Sequence, residues 1–331
     1  MEKEAARPGD PLHALFAPEA IDAETQAFNR QVEAILTKLP AANTMPPQQT
    51  RDLRESGRGP FGPIVLSKLA QARTLPGPGS APQLPVRVFV PESGPVQGVY
   101  LHLHGGGWTF GRAHHADMPN ESLTKECGLA VVSVDYRLAP EHPYPAAPDD
   151  CEAAALWLAK NAQAEFGTSR LLIGGESAGA HLSALTLLRL RDRHGFSGFS
   201  AANLVYGAFD LAMTPSQRLW GNRPLVLTTP LIEWFVGNFV PEGEGRRAPE
   251  VSPLYADLAG LPPALFTVGT LDPLVDDTMF MWSRWLAAGN RAELAVYPGG
   301  IHGFNLFPLP LATRANQRIA EFLRAAVADR R

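Results

Sequence analysis

The chain has 331 residues, 29 basic against 33 acidic side chains, a net charge of −4, and 45% hydrophobic against 19% charged residues. Such a chain can bury a large core, which excludes wholesale disorder, and it lacks the basic surplus needed to bind nucleic-acid phosphates or anionic lipid. Two cysteines, Cys127 and Cys151, are too few for a disulfide framework or a four-thiolate zinc site. No apolar run approaches ~18 residues, so no membrane span is predicted, and the charged start Met1-Glu2-Lys3-Glu4 leads to the expectation of a cytoplasmic protein.

Residues 12–38 carry helical spacing in Leu12, Phe16, Ile21, Phe28, Val32, Ile35 and Leu36. Residues 39–62 and 75–85 are Pro-rich and are predicted as connections. From about residue 85 the pattern changes. Val86-Arg87-Val88-Phe89-Val90 alternates like a strand. Short apolar runs follow at 99–103, 129–134, 171–173, 203–206, 264–268 and 292–297. Nearly continuous runs of this kind suit strands covered on both faces.

Helical spacing lies between them. Cys151, Ala154, Ala155 and Leu158 share a face behind the acidic pair Asp149 and Asp150. Leu182, Leu185 and Leu188 form a second face with Gly195 as a C-cap, and Val275, Met279, Trp282 and Leu286 a third, stopped by Gly289. Ala315, Ile319, Phe322, Leu323 and Ala326 form the last. Strands alternating with helices predict an α/β fold with a mostly parallel central sheet flanked by helices. Residues 209–253 break the rhythm. They are too long for a crossover loop and rich in aromatics and prolines, and are predicted to pack with the N-terminal helices over the sheet.

Gly175-Glu176-Ser177-Ala178-Gly179 lies where the strand at 171–173 hands over to a helix. A serine there needs small neighbours, because the turn is sharp and adjacent backbone crowds it. The turn lifts the hydroxyl clear of the sheet, to a helix N-terminus that favours developing negative charge. A small-residue turn that merely packs a helix on its strand has the same sequence. His104-Gly105-Gly106-Gly107-Trp108 follows the strand at 99–103. Three glycines leave backbone N–H groups free to line a cleft, and such donors stabilise a tetrahedral oxyanion. No Lys-Ser/Thr follows, and no G-x-G-x-x-G opens a helix, so a phosphate loop fits poorly. Gly106, Gly107 and Ala178 are the predicted donors.

A serine needs a base. In a doubly wound hydrolase the acid and then the histidine follow at the ends of later strands. Asp272 follows the strand at 264–268, and His302 follows the one at 292–297. Of the nine histidines, only His302 stands in a post-strand loop after the acid. Asp276 and Asp277 are read as a solvated helix start. Ser177, Asp272 and His302 are therefore the predicted catalytic residues.

With these motifs, the sequence resembles the hormone-sensitive-lipase-like family of α/β-hydrolase carboxylesterases. The resemblance rests also on Asp272-Pro273-Leu274, His302-Gly303-Phe304 and the run Asp135-Tyr136-Arg137-Leu138-Ala139-Pro140-Glu141-His142-Pro143-Tyr144-Pro145-Ala146-Ala147. It covers residues ~85–325 in motif order. The residue before the serine is often Asp in the family and is Glu176 here. The resemblance implies hydrolysis of short- to medium-chain acyl esters through an acyl-enzyme, with no metal and no organic cofactor. It also implies a helical cap: N-terminal cap helices and linker at 1–60, core at 61–208, cap insertion at 209–253, and core again at 254–331. A small-molecule ester is the expected partner, and a homodimer is expected by analogy only. Trp108, Tyr206, Phe209, Trp220 and Trp234 are the predicted pocket residues, although each serves equally well as core.

Three rival readings exist. His102-x-His104 and His114-His115 superficially offer metal ligands, but Gly106 stands where a metallohydrolase run needs Asp. His102 is read instead as a buried strand residue and His104 as a brace for the glycine loop. An amide or acetyl-amine hydrolase of the arylacetamide-deacetylase type would use the same machinery. A non-catalytic binding protein on this scaffold would lack the base, and His302 is present.

Overall fold

Alternation along each strand divides its side chains between two cores. Val99, Leu101 and Leu103 join Ala130, Val132, Val134 and Ile173 on one face of the sheet. Tyr100, Leu129, Val131 and Leu172 point to the other. The computed structural model describes residues 11–58, 62–79, 83–240 and 245–328. The described strands are β1 (Gln71–Leu75), β2 (Leu84–Phe89), β3 (Gly98–Leu103), β4 (Leu129–Val134), β5 (Leu171–Glu176), β6 (Phe199–Val205), β7 (Ala264–Leu271) and β8 (Ala292–Ile301). They form one eight-stranded sheet in the order β1-β2-β4-β3-β5-β6-β7-β8. The β1–β2 and β2–β4 pairs are antiparallel and the rest are parallel. This is the expected mostly parallel sheet.

The helices are α1 (Leu12–Leu15), α2 (Ala23–Leu36), α3 (Pro47–Glu55), α4 (Asp117–Cys127), α5 (Ala146–Phe166), α6 (Ala178–His194), α7 (Pro215–Leu219), α8 (Thr229–Phe239), α9 (Val275–Ala287) and α10 (Pro310–Ala328). Apolar stripes of α5, α6 and α9 cover one face of the sheet. The apolar stripe of α10 covers the other, with Leu123 and Cys127 of α4 and Phe28 and Val32 of α2 beside it. Gly195 takes the left-handed conformation that ends α6, at φ +61°. Cys127 and Cys151 are free and buried.

Three elements depart from the sequence reading. The connection at 39–62 contains α3, whose prolines stand at its first turn, where a missing N–H costs nothing. β1 carries no hydrophobic alternation, because only Leu75 of the five side chains in this edge strand is buried. α4 is mostly polar, with Asp117, Asn120 and Thr124 on its buried face, which hides its period.

The segment 209–253 holds α7 and α8. Asp22 caps α2 by accepting a 2.7 Å bond from Thr25 N. Contacts link the two regions: Arg223 pairs with Glu33 at 3.2 Å, and α8 lies against the turn Ala42–Thr44. α2 is itself tied to β8, where Asn29 Nδ2 donates to Gly299 O at 2.8 Å.

Candidate active site

The sheet register places the serine beside the glycine loop. Leu103 of β3 stands opposite Gly175 of β5, so both chains leave the same edge side by side. A β-carbon on Gly175 would lie 2.0 Å from Leu103 O, and one on Gly179 only 1.8 Å from it. That close approach is the physical reason for glycine on both sides of the serine. Ser177 itself is held at φ +56°, ψ −120°, a conformation costly for an L-residue. Its N–H is anchored on Val205 O at 2.9 Å. The turn leaves Oγ half-buried at the N-terminus of α6.

Asp272 is the first residue after β7 and His302 the first after β8. Loops 125 residues apart in sequence converge: His302 Nε2 is 2.9 Å from Ser177 Oγ, and His302 Nδ1 is 2.9 Å from Asp272 Oδ2. Asp272 is 1% exposed and His302 6%, so water screens this chain of bonds little. Asp272 Oδ1 also accepts Leu274 N at 2.9 Å, which fixes the carboxylate plane. The Tyr206 ring packs 4.7 Å from the imidazole, and its hydroxyl donates to Asn305 Oδ1 at 2.5 Å. A hydroxyl, an imidazole and a carboxylate in this order can move a proton off the hydroxyl as it attacks.

The glycine loop is braced from several sides. Phe110 N donates to Gly106 O at 2.7 Å, folding the loop back on itself. Tyr136 Oη donates to His104 O at 2.7 Å, and the two rings stack at 4.1 Å. Burial pushes His104 well below the usual histidine range, so its ring is neutral, in keeping with a bracing role. Among the described residues, the Gly106 and Gly107 amides donate to no other backbone group. Ala178 opens α6, where first-turn amides lack intrahelical acceptors.

Sequence reasoning missed two supports of this loop. Arg51 of α3 donates Nε to Thr109 O at 2.9 Å and Nη2 to Ala139 O at 2.8 Å. Phe235 of α8 lies directly over Gly107. The first is hidden in the sequence because α3 carries Leu53 as its one large apolar side chain and so shows no apolar stripe. The second lies in the segment 209–253, whose composition displays its aromatics but not their contacts.

Glu176, the residue that departs from the family pattern, is gripped from behind. His102 Nε2 lies 3.1 Å from its Oε2, and His102 Nδ1 lies 2.8 Å from Ser133 Oγ. His102 is buried in its strand, as expected. Asp277 is different. It is not a solvated helix start but is fully buried. It accepts bonds from Phe209 N at 2.7 Å, Asp210 N at 2.9 Å, Thr214 Oγ1 at 2.8 Å and Gln217 Nε2 at 2.6 Å. Burial pushes its carboxyl up to about 7. It clamps the base of the 209–253 segment to α9. Asp276 also contributes, accepting Ser216 N at 2.8 Å.

The predicted pocket residues scatter. Trp108 is buried, stacked on Phe239 at 4.7 Å, with Nε1 donating to His181 Nδ1. Phe209 is fully buried against Phe266. Both are packed among core side chains. Trp220 is partly buried and donates to Leu227 O at 3.1 Å. Trp234 is partly buried, with Phe110 and Phe235 as ring neighbours at 5.6 and 5.4 Å. Of the five, Tyr206 touches the imidazole.

Known proteins resemble this arrangement. A family model described as alpha/beta hydrolase fold matches residues 100–306. The carboxylic ester hydrolase LipN of Mycobacterium tuberculosis is 38% identical over 241 residues, spanning 70% of this chain and 64% of LipN. The carboxylesterase NlhH of the same species is 34% identical over 284 residues, 80% of this chain and 85% of NlhH. The solved esterase of Pyrobaculum calidifontis superposes with a TM-score of 0.80 at 31% identity, covering 88% of this chain and 97% of that one. No helix among the described residues is long and apolar enough to cross a membrane. With the parallel sheet, the post-strand loops and the matched region in agreement, the chain belongs to the alpha/beta hydrolase fold family, as its resemblance to the hormone-sensitive-lipase-like esterases implied.

Proposed function

We propose that the protein is a serine carboxylesterase acting on short- to medium-chain acyl esters. The observation that carries this reading is the continuous hydrogen-bond chain from Ser177 Oγ through His302 to Asp272, at 2.9 Å for each link, beside a glycine loop. Ser177 attacks the ester carbonyl while His302 Nε2 takes its proton. Asp272 holds the imidazole in the required tautomer and stabilises its cation. The carbonyl oxygen becomes an oxyanion that accepts bonds from the Gly106, Gly107 and Ala178 amides, and a donor of this kind lowers the barrier by about 3 kcal/mol. His302 then protonates the departing alkoxide. Water, deprotonated by the same imidazole, attacks the acyl-serine, and the imidazolium gives that proton to Ser177 Oγ as the acyl C–Oγ bond breaks and the acid leaves.

The relatives named above are ester hydrolases by name, which favours esters over amides. We read residues 11–58 and the described part of 209–253 as a cap, on the strength of the contacts of α3 and α8 with the glycine loop; residues 1–10, 59–60 and 241–244 of the expected cap lie outside the described residues. Phe110, Trp234 and Phe235 form an apolar aromatic cluster there, suited to an acyl or alcohol group. The test is a series of p-nitrophenyl esters of increasing acyl length, with a matched p-nitroanilide. Turnover is expected for acetyl and butyrate, falling for long chains, with the ester far ahead of the anilide. Asp272→Asn and His302→Ala are each expected to cost orders of magnitude. An anilide turned over as fast as its ester would overturn the substrate class.

A further inference from the structure

Three side chains outside the Ser177 site converge where α3 meets the glycine loop. Glu55 ends α3. His114 and His115 lie on the 3₁₀ turn Ala113–Ala116, a few residues beyond Gly107. His114 Nε2 is 3.1 Å from Glu55 Oε2, and His115 Nε2 is 2.8 Å from Glu55 Oε1. The two rings stand 4.5 Å apart and nearly perpendicular, at 75°. One donor atom from each of the three residues can be chosen so that all lie within 4.8 Å of one another. Glu55 is exposed and His114 is reached by solvent, while the His115 side chain is 7% exposed.

We propose that Glu55, His114 and His115 bind one divalent transition-metal cation of the zinc class, which fastens α3 to the loop carrying Gly106 and Gly107. Two imidazoles and one carboxylate form a borderline donor set that suits zinc and its neighbours and not calcium or magnesium. Donors about 2.1 Å from a tetrahedral zinc lie roughly 3.4 Å from each other. The two Glu–His separations are already close to that, each to its own carboxylate oxygen, and rotation of the Glu55 and histidine side chains would bring the three donors, already within 4.8 Å of one another, onto one cation. The remaining coordination positions face solvent and take water. Each Nε2 must offer its lone pair, so a proton it shares with Glu55 moves to Nδ1 or leaves for bulk water.

Two features oppose the cation and set a moderate affinity. The Arg54 charge bears on His115. His115 Nδ1 is buried and, among the described residues, has no partner, so the acceptor that normally fixes a ligating ring is missing. The cation has no place in the bond-making steps, and the inference stands whether or not Ser177 is the nucleophile.

The test uses the whole protein after dialysis against a chelator. Added Co2+ is expected to give a d–d absorption band that saturates at one equivalent. Zn2+ in hundredfold excess over its Kd is expected to raise Tm by a few degrees, with Mg2+ inert. Glu55→Gln and His114→Asn, each checked for native circular dichroism, are expected to weaken Co2+ binding tenfold or more, while Ser177→Ala binds as the wild type does. No Co2+ band and no Zn2+-dependent Tm would overturn the site and leave Glu55 as a hydrogen-bonded clamp. So would binding of equal strength in the two variants.

Discussion

Phe235 lies against Gly107 so closely that a β-carbon added to that glycine would stand 2.3 Å from Phe235 Cδ1. Gly107 also sits at φ +58°, where an L side chain is strained. The insertion helix α8 and the amide-bearing loop are therefore fitted to one another, and position 107 admits only a hydrogen.

Gly107→Ala is accordingly expected to displace the loop or the ring. The cost should be about 10²-fold in kcat/KM, the scale of one lost oxyanion donor, with a smaller effect on Tm. Adding Phe235→Ala removes the collision but not the backbone strain. The double variant is thus expected to recover part of the loss of the single one. Steady-state kinetics on a p-nitrophenyl ester check this, and wild-type kcat/KM in Gly107→Ala would contradict it.

Arg51 joins α3 to two carbonyls, Thr109 O and Ala139 O, and forks onto Glu141 at 2.9 and 2.8 Å. The Glu141 pair is half-exposed and worth little alone. The bonds to the carbonyls carry more. Arg51→Ala is expected to lower stability by about 1–3 kcal/mol and to reduce kcat/KM, because Thr109 follows the glycine loop directly. Arg51→Lys cannot reproduce the fork and should restore little of either. Denaturant unfolding read beside kinetics decides the matter, and a lysine variant matching wild type in both would remove the latch from the account.

Asp277 supplies the pH dependence. Its carboxyl is raised from 3.8 to about 7, chiefly by burial, against the pull of its four hydrogen-bond donors. A raised carboxyl pKa means that the folded state holds the proton more tightly than the unfolded chain does. The group's contribution to stability is then greatest below about pH 4, falls as pH climbs towards about 7, and is level above that. Asp277→Asn does not titrate. Relative to wild type it is expected to gain stability across that window, by an amount on the order of a few kcal/mol. Asp277→Ala leaves two buried amides without acceptors and is expected to cost roughly 3 kcal/mol or more at any pH. Parallel urea titrations of the three proteins measure this, and a wild-type-to-Asn difference that does not change with pH would count against a titrating Asp277.

Much of this architecture is written in local pattern. The strands β3, β4, β5 and β7 are largely buried on both faces, so they appear as nearly continuous apolar runs, and the residue after such a run is a place where chemistry collects. Ser177 and Asp272 were legible for that reason, and His302 because it is the histidine that stands in a post-strand loop after the acid, although β8 itself is only partly buried. α3 was not, because Leu53 is the one large apolar side chain among its nine residues, so no apolar stripe marks the helix. Asp277 misled because a carboxylate in a helix's first turn has the same sequence whether it faces water or, as here, the backbone of residues 209 and 210. The aromatics of 209–253 were conspicuous, but composition does not tell a packed Phe209 from a Phe235 laid on Gly107. That distinction depends on contacts between segments more than a hundred residues apart.

The central claim, that Ser177 is the nucleophile, is tested most directly by covalent labelling. The protein is treated with a serine-directed organophosphate, intact mass and p-nitrophenyl butyrate turnover are followed together, and the modified peptide is mapped. One adduct per chain, located on Ser177, with activity lost in step and neither labelling nor turnover in Ser177→Ala, is the expected result. An adduct on another residue, or undiminished turnover in Ser177→Ala, would contradict the account.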